Sequence, residues 1–112
     1  MEKFMQYLDS KIEEGRAKTE ELRSDGRGDD ANFMKVRTNI YEVCKTVSQT
    51  LMKRPGAGTG AIRAQLERFR TEWGAALEKA KQHDNVSGIA VEETKLAALE
   101  DIIVRFQEAA EA

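Results

Sequence analysis

Four stretches of the chain repeat apolar or small residues at gaps of three and four. Met5, Leu8, Ile12, Gly15, Thr19 and Leu22 mark the first. Phe33, Val36, Ile40, Val43, Val47 and Leu51 mark the second, and Ile62, Leu66, Phe69, Trp73, Ala76 and Ala80 the third. Leu96, Leu99, Ile103, Phe106 and Ala110 mark the fourth. Such spacing lines one face of a helix. Strand-like alternation is nowhere sustained.

The interruptions agree with the pattern. "SDGRGDD" ends the first helix, with Gly26 just past its C-terminus. Asp29 or Asp30 then suits the N-cap of the second. Lys53 and Arg54 fall where that helix's last carbonyls favour positive charge, and Pro55 cannot continue it. Thr59 is the expected N-cap of the third helix. "QHDNVSG" separates third from fourth, and Glu92 and Glu93 are placed near the start of the fourth.

Helices of about 20 residues joined by short corners pack antiparallel to their chain neighbours. The expected fold is all-α: one helical domain over residues 1–112, an up-down-up-down four-helix bundle. The alternative is a set of helical hairpins that completes a bundle only by dimerising. In the up-down arrangement the first and third helices run parallel. Trp73 is therefore expected to cover the gap left by Gly15, near Ile12, Ile40, Val43 and Leu99.

Composition supports a helical domain. Of 112 residues, 40% are hydrophobic and 34% charged, with one Pro, so the chain carries enough apolar material for one core. Cys44 is the single cysteine, which excludes an internal disulfide. The N-terminal residues lack the apolar run of a secretory signal, and no segment reaches the roughly 20 apolar residues of a membrane span. These features point to a cytoplasmic protein with no membrane partner.

"RPGAGTGAIRAQ", residues 54–65, matches the dinucleotide fingerprint at Gly56, Gly58 and Ala61. That fingerprint needs a strand leading into the turn. The preceding segment here is helix-patterned, and no Gly-Lys-Ser/Thr follows. The stretch reads as a flexible corner, where glycine supplies positive φ. Arg27-Gly28-Asp29 spells an adhesion tripeptide, yet Gly and Asp are what a helix-to-helix turn selects anyway.

Catalytic and metal-binding constellations are not apparent. His83 is the only histidine and lies in a corner. Cys44 sits near the core face, where a small inert thiol is the common case. No Glu-x-x-His pair for a di-iron bundle exists. The doublets Glu13-Glu14, Glu20-Glu21, Glu92-Glu93 and Glu100-Asp101 read as solvated faces. No cofactor and no metal are implied, and the protein reads as a non-enzyme. "DANFMKVRTNIYEVCKTV" and "EWGAALEKAKQHDNVSGIAVEETKLAALEDI" resemble uncharacterised small all-helical proteins of Gram-positive anaerobic bacteria, a resemblance that rests on helical pattern and implies no activity.

Two surfaces are candidates for binding. On the second helix Met34, Tyr41 and Met52 form a stripe about a quarter turn from the inward face, with Ser48 on its line and Arg37 and Lys45 beside it. This stripe is the candidate partner surface, for a homodimer or another helical protein, unless it is the shoulder of a broad core face. The second surface is electrostatic. Residues 35–70 hold eight Lys/Arg against Glu42 and Glu67. Lys35, Lys45, Lys53, Arg54, Arg63 and Arg70 would contact phosphate if the partner were nucleic acid or another anion. The competing reading is that basic and acidic helices attract each other within the bundle. A protein-protein interaction or assembly module is the leading expectation, and binding of an anionic partner is the alternative. Against nucleic acid stands the scarcity of aromatic residues for base stacking.

Overall fold

The structure, a computed structural model, describes residues 1–56 and 58–111. It holds four helices, α1 (Glu2–Ser24), α2 (Gly28–Met52), α3 (Thr59–Gln82) and α4 (Val86–Glu111). Ala57, in the glycine-rich corner, lies outside the described residues, as does Ala112.

The turns show why the helices stop where they do. Gly26 takes φ 74° after α1. This lets the Arg27 N–H reach Leu22 O at 2.8 Å and the Gly26 N–H reach Arg23 O at 3.0 Å, a pairing that satisfies the last carbonyls. α3 ends the same way without a glycine. Asp84 takes φ 50°, the Asn85 N–H reaches Ala80 O at 2.9 Å, and the Asp84 N–H reaches Lys81 O. Asn85 then opens α4, its Oδ1 accepting the Gly88 N–H at 3.0 Å.

Three cap assignments from the sequence need correction. α2 starts at Gly28, so Asp29 and Asp30 lie in its first turn and not at the N-cap. Arg27 Nε donates to Asp30 there, at 2.8 Å. Thr59 is the first residue of α3, after Gly58 as N-cap. α4 begins at Val86 with no acid in its first turn, so Glu92 and Glu93 sit inside the helix.

Together the helices form an all-α four-helix bundle. Its closest packing joins α1 to α2 and α3 to α4; α2 and α4 meet along a central seam. α1 touches α4 only lightly, as does α2 with α3, and α1 and α3 do not approach each other. The order across the molecule is therefore α1, α2, α4, α3. Two helices side by side span about 20 Å. The thin dimension, 21 Å, fits that; the 35 Å width does not, so the bundle is flattened.

This order explains the glycine corner. The links 25–27 and 83–85 join helices already in contact, whereas 53–58 spans a pair that barely touches. It must be longer, and it turns through Gly56 at φ 76°.

The core draws Phe4, Leu8 and Ile12 from α1, and Ile40, Tyr41 and Cys44 from α2. α3 adds Ile62 and Leu66, and α4 adds Ala98, Leu99, Ile102, Ile103 and Phe106. Phe4 and Phe106 meet edge to face at 5.4 Å. In α3 full burial stops at Leu66, and in α4 it starts at Ala98. The turn-proximal halves of this hairpin, with Trp73 and Leu77 in α3, are only half-buried.

The expected meeting of Trp73 and Gly15 does not occur, because α1 and α3 are the outer helices. Gly15 instead faces Thr38 of α2. A Cβ at Gly15 would overlap Thr38 Oγ1 and stand 3.0 Å from its Cβ. Trp73 stacks on Phe69 at 4.7 Å within α3, with Lys95 Nζ 4.9 Å from its ring.

Candidate interaction surface

α2 carries apolar residues over more than one face, and the bundle buries a different part from the expected one. Tyr41 is 1% exposed, and Ser48 and Cys44 are fully buried. The stripe assigned to a partner is thus core at its centre. Tyr41 meets Tyr7 of α1 edge to face at 6.1 Å, and its hydroxyl accepts from Arg37 Nη2 at 3.4 Å. Arg105 of α4 lies over the other ring, 4.8 Å from the Tyr7 centroid. Burial and the neighbouring Tyr41 hold the Tyr7 phenol well above the usual tyrosine range. Met34 is half-buried and Met52 is exposed at the helix end. Arg37 reaches Asp101 of α4 at 3.4 Å, and Lys45 reaches Asp9 of α1. Met34, Tyr41, Met52, Arg37 and Lys45 therefore do not make one exposed patch.

The basic segment is partly consumed inside the fold. Arg37 and Lys45 bridge to other helices as above. Arg70 binds Glu100 of α4 through two hydrogen bonds, at 2.7 and 2.8 Å, and also holds Glu67. The Glu100 carboxylate raises the Arg70 pKa. Arg63 lies over the Phe106 ring, 5.8 Å from its centroid. Among the described residues Lys35, Lys53, Arg54, Arg63 and Arg68 make no ion pair. Lys35 is about 27 Å along α2 from Lys53.

Cys44 and His83 lie apart in burial, one in the core and one at a helix end. Cys44 is fully buried, and its surroundings push the thiol up to about 12, so it stays protonated near neutral pH. His83 is exposed at the C-cap of α3. Among the described residues no group of three or more His, Cys, Asp or Glu could hold a metal. A groove of about 290 Å³ beside Gly15 is lined by Lys11, Glu14, Lys18 and Arg37 among others. Lys11 pairs with Glu14 and Lys18 with Glu21. No helix among the described residues is long and apolar enough to cross a membrane.

What α2 does leave open is the stripe first assigned inward. Val36, Val43, Val47 and Leu51 are half-buried and Phe33 is 39% exposed; only Ile40 is fully buried. Asn39, Thr46 and Thr50 border the stripe and are exposed. At about 100° per residue, this side of α2 carries no charge between Asp30 and Lys53. Lys35, Arg37, Glu42 and Lys45 all fall on the other side, toward α1 and α4. The absence of charge was legible in the sequence. Which of two adjoining apolar faces turns inward was not.

Protein-family models, curated proteins and solved structures were compared with the chain, and none matches.

Proposed function

We propose that this protein is a non-enzymatic interaction module that binds a protein surface through the uncharged outer face of α2. One observation carries the reading. In a chain that is 34% charged, a helix face several turns long holds only aliphatic residues, a phenylalanine, asparagine and threonines, and the folded domain leaves all of it but Ile40 at least partly open. Scattered exposed apolar residues mean little. A continuous apolar stripe with neutral polar edges has the make-up of an interface centre, where charge is depleted.

A photo-crosslinking residue placed at Asn39 or Thr46 tests the reading without touching the core. Adducts from these positions are expected in cells. Control positions at Glu13 and Gln107, exposed on other helices, should give none. Equal labelling from all four, or none from Asn39 and Thr46, overturns the proposal.

A further inference from the structure

The α2 face is self-complementary, and we infer that its occupant is a second copy of this chain, α2 packing antiparallel on α2 about a two-fold axis. The inference rests on the reading of that face as a binding surface, and adds the partner.

The spacing comes first. Val36 and Val43 stand two periods apart, with Phe33 three residues before and Val47 four residues after them, while Ile40 between them turns into the core. That 3.5-residue period is the seam of paired helices, which keeps facing a partner over several turns. Asn39, Thr46 and Thr50 flank it with uncharged side chains, so a second copy brings no like charge alongside.

The ends of the stripe set the direction. At about 100° per residue, Asp29 lies on its line at the N-terminal end of α2. Arg54 follows two residues after α2 ends, close to the same line because Lys53 keeps a helical backbone and the Arg54 N–H reaches Leu51 O at 3.2 Å. Both are exposed, and neither makes an ion pair among the described residues, whereas Asp30 beside them is held by Arg27. An antiparallel two-fold pairing centred between Tyr41 and Glu42 sets Asp29 opposite Arg54 of the second copy, and Arg54 opposite the second copy's Asp29. The same register sets Val36 against the second copy's Val47, and Phe33 against its Thr50. A parallel pairing would set Asp29 against Asp29 and Arg54 against Arg54. The charges therefore choose one orientation. The interface is isologous, as a closed two-fold dimer requires. One helix from each copy is a small contact, at the low end for specific interfaces, so the affinity expected is micromolar.

Analytical ultracentrifugation of the full chain, from roughly 1 to 500 µM, tests this. A reversible dimer is expected. Val43→Glu should abolish it, with circular dichroism confirming the fold. Asp29→Arg and Arg54→Asp, both at exposed positions, should each weaken it about tenfold, since the two-fold axis turns two attractions into repulsions. The double swap Asp29→Arg/Arg54→Asp should recover most of the loss. A parent that stays monomeric throughout overturns the inference. So does a dimer indifferent to Val43→Glu, or single swaps that the double swap does not repair. If the parent is monomeric while Asn39 and Thr46 crosslink to other proteins, the second copy is excluded and the binding face stands. If neither association nor crosslinking occurs, both fall.

Discussion

Gly15 and Thr38 set how closely α1 and α2 approach. The absent side chain of Gly15 lets the Thr38 side chain lie against the α1 backbone. Thr38 stays satisfied by donating back to Met34 O at 2.8 Å, and Thr19 does the same to Gly15 O at 2.7 Å. A helix interior otherwise favours alanine over glycine by about 1 kcal/mol. Gly15→Ala is nevertheless expected to cost about 1–3 kcal/mol, because the added methyl overpacks the seam. Gly15→Ala combined with Thr38→Ala should recover at least about half of that. Urea titrations followed by circular dichroism measure both, and a stabilised Gly15→Ala would show that the seam yields freely. The sequence placed Gly15 on the core face correctly, because periodicity reports which side of a helix turns inward. It misassigned the neighbour, because periodicity does not say which helix lies opposite.

Among the elements, the two three-residue turns make the same backbone bonds with different residues at the left-handed position. Gly26 holds it at no steric cost. Asp84 holds it at φ 50° with a Cβ that crowds its own carbonyl. Asp84→Gly is therefore expected to stabilise the protein by about 1 kcal/mol, read as a rise in the urea midpoint at unchanged slope. An unchanged or lower midpoint would mean that aspartate contributes something there that backbone relief does not offset. Gly26 was legible because glycine after a helix-patterned segment has one common use. Asp84 was not, since "QHDNVSG" offers several residues tolerant of that conformation. The cap of α4 was hidden likewise: Asn85 performs it, while Glu92 and Glu93 drew the start of the helix too late. Glu92 serves instead inside α4, pairing with Lys95 beside Trp73. In α2 the sequence held two adjoining apolar faces, and burial of Tyr41 chose between them.

For the whole molecule, four helices and their number of corners were legible from pattern alone, and so was the antiparallel path of the chain. The flattened order α1, α2, α4, α3 was not. It depends on which side chains let pairs of helices come close, such as Gly15 against Thr38. That order places the densest packing between segments adjacent in the chain, each pair closed by a turn that its own last helical residues specify. Most contacts thus need only short loops to form, and a chain rich in local contacts has little entropy to lose before its contacts reward it. The two hairpins should assemble early and independently, leaving their docking, chiefly along the α2–α4 seam, as the later long-range step. In stopped-flow dilution from urea the main refolding phase is expected within about 10 ms. A main phase lasting seconds would mean that neither hairpin gains much until the seam has closed.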